Sequence, residues 1–435
     1  MGVIDKIENY IMNKIRSSNN AYGLILCELE EYSKYVDEVE EIRKQGHEHY
    51  KVKETEEKIL KLIEENDLVL TVQDFNRKNI GMYAANLGLE NVVLRALENK
   101  EASIQQDDEG SNIGMIAAMS KLEKAALKAL DNDEASLQQT TDGYNIGMLC
   151  AFRKLENATL KALDNKEASI QQNQEGCNIG MISAREGLEK AALKALDNEK
   201  ASVQQDNIGN NIGMYAVQSN LESVVLKALD NKEASLQVEY DGYCIGLYAA
   251  YNGMAKCIMK ALDNHEASLI QDKEYGRNIG MLAAQYSLED CVLKALDNKE
   301  ASLQQNITGD NIGMMAARFH LNKATLKALD NIDASVQTNI NGCNIGMYAA
   351  IVNMEDCILK ALENSQARNQ RDMGGYTILD LCCDSDLDKK DFYLDYVEKL
   401  KKEENNLNES QSDDEIDAKV VNFDVENAEE SVNVN

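Results

Sequence analysis

The residues best suited to chemistry in this 435-residue chain are its four histidines and ten cysteines. His47-Glu48-His49 carries metal-ligand types, but residues two apart on a helix point in different directions, so the string favours a solvated loop over a metal site. The chain has no G-x-x-x-x-G-K-[ST] phosphate loop, no H-E-x-x-H and no G-x-S-x-G elbow. We therefore expect no enzyme, no metal, no cofactor and no small-molecule substrate.

The cysteines, too, favour a structural role over a chemical one. Cys257, Cys291 and Cys357 occupy a position where other copies of the repeat described below have Val or Ala, which indicates buried free thiols in a reducing compartment. Cys382-Cys383 takes the place of an Ala-Ala pair, so packing is favoured there too. Cys177 and Cys343 lie at hairpin-turn positions directly before the motif Asn, where exposure is an open alternative and with it a redox role.

Charge and hydropathy narrow the class of partner. Asp plus Glu number 75 against 45 Lys plus Arg, for a net charge of −30, which disfavours nucleic acids and anionic membranes as partners. A basic start followed by an apolar segment is missing, and so is a run of about 18 apolar residues. We expect a cytoplasmic monomer, with export as an effector left open.

A repeat sets the architecture that positions every other residue. Asn-Ile-Gly-Met occurs eight times, and Cys244-Ile245-Gly246-Leu247 is a ninth copy. The copies are 33 residues apart, except for one 34-residue step that an extra residue near Ile270 explains. Thr377-Ile378-Leu379 opens a tenth, divergent unit. The eight motifs begin at Asn79, Asn112, Asn145, Asn178, Asn211, Asn278, Asn311 and Asn344.

Each unit reads G-x-N-I-G-M-x-A-A-x-x-x-L-E-x-x-x-L-K-A-L-D-N-K-E-A-S-x-Q-Q, with two runs of apolar residues at helical spacing. The first Asn suits a helix N-cap, and the Asn after the second run, as in Asn99, is expected to close that helix in a left-handed conformation. Gly two residues before each motif predicts a hairpin turn. The Gln-Gln pair predicts a polar ladder between units. Helices this short must stack to bury their apolar faces.

This 33-residue unit resembles the ankyrin repeat over roughly residues 74–400. Gly110, Asn112-Ile113-Gly114-Met115 and Ala117-Ala118 match the family pattern G-x-T-P-L-H-x-A-A, and the closest copy is Gly375-Tyr376-Thr377-Ile378-Leu379. The resemblance implies an all-α solenoid of about ten units with β-hairpin tips. Asn for Thr, Ile for Pro and Gly for Leu depart from the family, and we expect the Gly to soften the stack.

The ends of the array differ from the repeats. Residues 1–49 are expected to form an N-terminal helical region, in which a short coiled coil over 24–45 stays an alternative. Residues 50–78 are expected to form a degenerate capping unit, 79–402 the array with a C-terminal capping unit, and 403–435 an acidic disordered tail.

The candidate contact residues lie seven and eight positions past each motif Asn, where the sequence varies. By resemblance to ankyrin repeats this stripe lines a concave groove beside the turn tips. Aromatic residues and Arg anchor many protein interfaces. The first set is Phe152, Arg153, Tyr251, Tyr286, Arg318 and Phe319, and the second set, at the turn tips, is Tyr144, Tyr243 and Tyr275. The same side chains could instead fill gaps between helices.

The function implied by the resemblance is non-catalytic protein–protein binding, as a scaffold, adaptor or effector. Two alternatives stay open: the repeats position an active N-terminal region, or they form a structural spacer or self-associating array without a specific partner.

Overall fold

The computed structural model describes residues 21–39, 50–382 and 391–405. The chain divides into two compact units, residues 1–248 and 249–435. Unit 1 holds the first five repeats, and unit 2 holds repeats seven to nine and the first helix of the tenth, while the helix Ile245–Tyr251 of the sixth repeat contains the division. Both units are built from repeated pairs of adjacent helices, which confirms an all-helical repeat fold. The described part contains no helix with both the length and the apolar character needed to cross a membrane.

Three kinds of helix recur in each repeat. The first helices are Ile80–Leu87, Ile113–Met119, Ile146–Phe152, Ile179–Arg185, Ile212–Gln218, Ile245–Tyr251, Ile279–Gln285, Ile312–Arg318, Ile345–Ile351 and Ile378–Cys382. The second helices are Glu90–Ala96, Glu123–Ala129, Glu156–Ala162, Glu189–Ala195, Glu222–Ala228, Ala255–Ala261, Glu289–Ala295, Asn322–Leu329 and Glu355–Glu363. The third, of five residues or fewer, are Lys100–Ile104, Asp133–Leu137, Lys166–Ile170, Glu199–Ser202, Lys232–Leu236, the 3₁₀ turn Ala267–Leu269, Lys299–Leu303, Ile332–Ser335 and Ser365–Asn369.

The first helix begins at the motif Asn, as predicted. In the fourth repeat Asn178 has extended backbone angles, and its side chain accepts a hydrogen bond from Met181 N. The helix ends two residues before a residue with a left-handed backbone conformation, which was not predicted from the sequence. Gly187 has φ +79° there, and Lys154 adopts the same conformation at φ +61°. Left-handed backbone is costly for a residue with a Cβ, so this turn stores strain in the repeats that lack Gly.

The third helix was not predicted, and it corrects the role of the second Asn. Asn165 has φ −83° and ψ 103°, which is extended and not left-handed, and its side chain accepts from the backbone of Glu167 and Ala168. It is therefore the N-cap of the third helix and not the closing residue of the second. The side chain also donates to Ser136 Oγ of the preceding repeat, at 3.0 Å.

The predicted β-hairpin tips are turns without strands, and residues 21–39, 50–382 and 391–405 contain no strand at all. In the turn of the fourth repeat, Asn173 Oδ1 accepts from Glu175 N at 3.1 Å and from Cys177 N at 2.8 Å. Gly176 has φ +81°, the conformation predicted for this glycine. Gln174 N also donates to Asp142 O of the preceding turn, so a single hydrogen bond joins adjacent turns in place of a paired strand.

The glycine of the motif is required by packing. A methyl group on Gly147 would lie 2.5 Å from Ile179 Cδ1 of the next repeat and 2.7 Å from Ala162 Cβ of the second helix. Both distances are shorter than normal carbon contacts. The expectation that this glycine softens the stack is therefore replaced by a structural role, in which its missing side chain admits the motif Ile of the following repeat.

The ends of the array are covered by further helices. In unit 1, Ala21–Val39 packs against both Tyr50–Glu65 and Ile80–Leu87, in the place of a first helix. Within the range of the coiled-coil alternative, Ile25, Leu26 and Leu29 are buried, whereas Leu24 is 42% exposed. A 3₁₀ turn, Asp67–Thr71, follows Tyr50–Glu65.

In unit 2 a helix spans 391–405, so residues 403–405 belong to it and not to the tail. Its Tyr393 and Val397 are buried, and Glu404 pairs with the buried Arg368 at 3.0 Å. Residues 406–435, for which a disordered tail is predicted, lie outside the described residues, as do 1–20, 40–49 and 383–390.

Candidate functional site

The motif Asn and the first Gln of the Gln-Gln pair are fully used in holding repeats together. Asn178 is buried, and its amide donates to Ala201 O at 3.1 Å and to Gln204 Oε1 at 2.8 Å. Gln204 in turn donates to Ile170 O of the preceding repeat, at 2.7 Å. The same bonds recur in unit 2 around Asn311 and Gln337. These polar side chains are structural.

The second Gln completes the predicted polar ladder. In unit 1, Gln139 donates to Gly143 O of its own turn at 2.5 Å and to Gln172 O of the next repeat at 3.2 Å. In unit 2, Gln305 makes the equivalent bonds to Gly309 O and Thr338 O. The Gln-Gln prediction is confirmed within each unit.

The charged consensus positions also join neighbours. Lys161 donates to Leu127 O at 2.8 Å and forms an ion pair of 2.5 Å with Asp131. This contact lowers the pKa of Asp131, chiefly through the hydrogen bond from Lys161. Lys194 and Asp164 repeat the pair at 2.6 Å. These charges therefore join neighbouring repeats.

The second helices have no side-chain N-cap of their own, because a Leu or Met stands at that position. A Glu from the preceding repeat supplies the missing acceptor. Glu123 Oε1 accepts from Asn157 N at 3.2 Å in unit 1, and Glu289 Oε1 accepts from Lys323 N at 2.8 Å in unit 2. At both of these junctions one repeat thus completes the helix of the next.

The residues at the ends of the first helices and in the turns differ from repeat to repeat. The surface that they form is here called the variable surface. It comprises the residues seven and eight positions past each motif Asn and the three or four residues before that Asn. Contacts within single repeats join the two parts: Arg185 lies 3.5 Å from Glu175, and Arg277 donates to Gln285 at 3.1 Å. In the eighth repeat Arg318 lies 3.9 Å from Asp310. Helix ends and turns therefore face the same side.

The predicted contact residues of unit 1 are only partly exposed. Phe152 is 44% exposed, and the Arg153 guanidinium lies 5.6 Å from the centre of its ring. Arg153 Nε is buried and has no hydrogen-bond partner in the structure. Tyr144 is half-buried, and so is Tyr243, whose ring centre lies 5.1 Å from that of Tyr248.

In unit 2 the structure brings several predicted residues together. Tyr251 and Tyr286, 35 positions apart in the sequence, meet edge to face with their ring centres 6.1 Å apart. They are 52% and 38% exposed. Tyr275 stacks on the Arg277 guanidinium at 4.3 Å, and Arg277 bonds to Asp272 at 2.9 Å and to Gln285, the neighbour of Tyr286. Tyr251, Tyr275 and Arg277 of this connected cluster lie within the one 34-residue step between motifs, and Tyr286 follows it.

Two further predicted residues lie in the same unit. The side chain of Arg318 is 57% exposed, whereas Phe319 is half-buried. Arg318 is thus available for contact, while Phe319 serves packing in part.

Three exposed apolar turn residues were missed by sequence reasoning. Ile307, Ile340 and Met373 are 63%, 61% and 82% exposed. The available signal was their common position, four residues before a motif residue, where earlier repeats carry polar types.

Nucleophilic chemistry finds little support among the thiols. Cys177 and Cys343, for which the sequence leaves exposure open, are only 1% and 9% exposed, because each lies beneath its turn. Burial raises the pKa of both thiols. The nine cysteines that the structure describes are free, and Cys257, Cys291 and Cys357 are buried as predicted.

Metal-ligating groups and cavities give no separate site. Among the described residues no three His, Cys, Asp or Glu side chains are grouped so that they could hold a metal, and His47 and His49 lie outside that part of the chain. A shallow cleft of about 490 Å³ in unit 1 is lined by ladder residues such as Lys161, Asp164 and Asn165. Comparison of the sequence with protein-family models and with curated proteins gave no match.

Proposed function

We propose that the chain is a non-catalytic protein-binding module of the ankyrin type, which holds a protein partner on its variable surface. The observation that carries this proposal is the exposed Tyr251–Tyr286 pair. Conserved positions of the repeat are occupied by contacts between repeats, whereas these two rings are exposed on the part of the repeat that varies. Aromatic residues on an exposed surface are typical anchors of protein interfaces.

The ankyrin assignment is supported by the 33-residue unit and its order of turn and paired helices. Two features differ from the pattern expected by resemblance: the tips lack strands, and a third short helix follows the pair. Neither feature removes the surface on which the proposal depends. The resemblance to ankyrin repeats suggests that a partner binds on the side that holds the turns and the first helices.

The proposal of a non-catalytic role is supported by the partners of the polar side chains. Consensus Asn, Gln, Lys and Asp residues bond to neighbouring repeats, and burial raises the pKa of the thiols of Cys150, Cys244 and Cys357. A thiol with a raised pKa holds little thiolate at neutral pH and is a poor nucleophile.

The test uses the full chain as bait for affinity capture from cell lysate, with quantitative mass spectrometry. One variant carries Phe152→Ser, Tyr251→Ser and Tyr286→Ser. A matched control carries Leu68→Ser and Ile332→Ser, two residues that are 78% and 70% exposed away from the variable surface. Circular dichroism checks that both stay folded.

Binding on the variable surface predicts a partner that the first variant loses and the control keeps. Equal capture by all three baits would contradict the proposal. If the unchanged chain enriches no protein over blank beads, the proposal also fails and the spacer hypothesis is favoured.

A further inference from the structure

The exposed apolar turn residues of unit 2 form a continuous row. Ile307 N donates to Tyr275 O, Ile340 N to Thr308 O and Met373 N to Asn341 O, each at 2.9 Å. Because one hydrogen bond links each turn to the one before it, the three side chains lie on neighbouring turns. All three are more than 60% exposed.

Turn geometry does not require apolar residues at this position. In unit 1 the corresponding residues also donate to the preceding turn, yet they are mostly polar. They are Asp108, Thr141, Gln174, Asn207 and Tyr240. Exposed apolar residues in a row on one surface mark an interaction site more often than isolated ones do.

The charges beside this row differ from those in unit 1. At the turns and the ends of the first helices of unit 2, the exposed cations are Lys273, Arg318 and Arg371, and the exposed acids are Glu274 and Asp380. Asp380 lies 3.9 Å from Arg371. Asp272 and Asp310 are buried, where they accept hydrogen bonds from the turn and from Tyr348. The unit 1 turns instead expose acidic side chains, namely Asp108, Glu109, Asp142, Glu175 and Asp241. In a chain of net charge −30, the row of unit 2 is therefore a local apolar surface beside which exposed cations outnumber exposed acids by three to two.

We propose that this surface of unit 2 binds an extended segment of a partner protein that carries an apolar residue at every third position and acidic residues between them. The proposal rests on the proposed function and specifies the partner's chemistry. The apolar side chains contact Ile307, Ile340 and Met373, and the carboxylates pair with Arg318 and Arg371. Complementary charge favours such a segment over a basic one.

The period of three follows from two lengths. Packed helix layers are about 8–10 Å apart, so successive turns are separated by a similar distance. A polyproline-II segment advances about 9.3 Å in three residues and returns to the same face at each turn. One such segment can therefore place an apolar side chain on each of the three tips.

The experiment selects from a phage-displayed library of random peptides about 12 residues long, enough for four turns at three residues each. The bait is the immobilised full chain. One variant bait carries Ile307→Ser and Ile340→Ser, and a second carries Arg318→Glu and Arg371→Glu. The matched control carries Leu68→Ser and Lys124→Glu in unit 1, two exposed residues outside the variable surface.

The expected result is enrichment of acidic peptides with apolar residues at every third position. Their binding should weaken at least about tenfold on either unit 2 variant and should stay unchanged on the control. Basic or neutral peptides, or peptides without the period, that are lost on the same variants would overturn this inference and leave the proposed function standing. Peptides kept by every variant, or no enrichment, would contradict both.

A further bait separates a partner from the chain's own acidic end. It is the full chain with the carboxylates of Asp413, Asp414, Glu415 and Asp417 changed to amides. Enrichment of the same peptides on the full chain and on this bait supports a partner segment. Enrichment only on this bait would overturn the proposal, because the chain's own tail would then be the occupant.

Discussion

Changing Gly147 to Ala tests whether the motif glycine is a packing requirement. The added methyl would meet Ala162 Cβ at 2.7 Å and Ile179 Cδ1 at 2.5 Å. The Ile179 methyl ends a side chain that can rotate, but Ala162 Cβ is fixed to the second helix and moves only with it. The contact with Ala162 therefore determines how much the added methyl lowers the free energy of unfolding.

The size of the effect follows from two opposing contributions. Overpacking a well-packed core costs about 1–3 kcal/mol, and Ala improves helix propensity over Gly by up to about 1 kcal/mol. Gly147→Ala should lower the free energy of unfolding by about 1–2 kcal/mol. Ala162→Gly should cost a similar amount, because it loses helix propensity and a buried methyl.

The assay is urea unfolding of the full chain, followed by far-ultraviolet circular dichroism, for the two single variants and the double variant. The double variant moves the methyl group from one helix to the other and removes the closest rigid contact. The two changes should therefore couple favourably, by about 1–2 kcal/mol.

Two results would refute the packing argument. One is a higher urea midpoint for Gly147→Ala, as helix propensity alone predicts. The other is additivity of the two changes within about 0.5 kcal/mol.

Three further predictions concern unit 1. Lys154→Gly should raise the free energy of unfolding by up to about 1 kcal/mol, since φ is +61° there and Gly avoids the left-handed strain; thermal melts check this, and the reverse change Gly187→Lys should lower the melting temperature. Asn178→Ala should lower the free energy of unfolding by about 2–4 kcal/mol because three hydrogen bonds are lost. Asn178→Thr should lower it less, because Thr keeps an acceptor for the helix N-terminus. Equal free energies of unfolding for the two variants in chemical denaturation would refute this. Lys161 lowers the pKa of Asp131 below its ordinary 3.8, so the ion pair stabilises the fold above about pH 4, and this stabilisation is lost as pH falls through the folded-state pKa. Lys161→Met should remove this pH dependence, which is below about 1 kcal/mol for so exposed a pair. Acid titrations that are unchanged in the variant would contradict this prediction.

Much of the repeat could be predicted because its signals are local. The Asn cap of the first helix depends on residues within one turn of the chain, and Gly176 needs positive φ for reasons contained in its own turn. The Gln-Gln ladder could be inferred because a polar pair repeated at a fixed period in stacked units must meet its own copies. Each of these predictions required only the period and the chemistry of one position.

The errors came from contacts between repeats and from very short elements. Asn165 caps a five-residue helix whose buried residues are Ala and Ser, too few for a periodic pattern to show. The role of Gly147 depends on Ile179, 32 positions away, and helix propensity alone takes no account of that contact. The left-handed conformation could have been inferred, because Gly187 occupies the same position in its repeat as Lys154 does in the preceding repeat.

For the candidate site, the sequence placed Tyr251 and Tyr286 in one stripe, and the structure brings their rings into contact. It could not show that Phe319 is half-buried or that Cys177 lies beneath its turn, since burial depends on neighbouring repeats. Ile307 and Ile340 were passed over because a turn was examined for its glycine and not for its exposed apolar residue.

The hydrogen bond that Lys161 donates to the helix of the preceding repeat recurs at Lys194, Lys227 and Lys327. A unit with these residues can be followed by any other such unit. A genetic exchange that adds or removes whole multiples of 33 codons would therefore leave every junction intact while altering the order of side chains at the turns. In such a gene, new binding surfaces can arise by recombination between copies, without any point mutation that first has to be tolerated by the core.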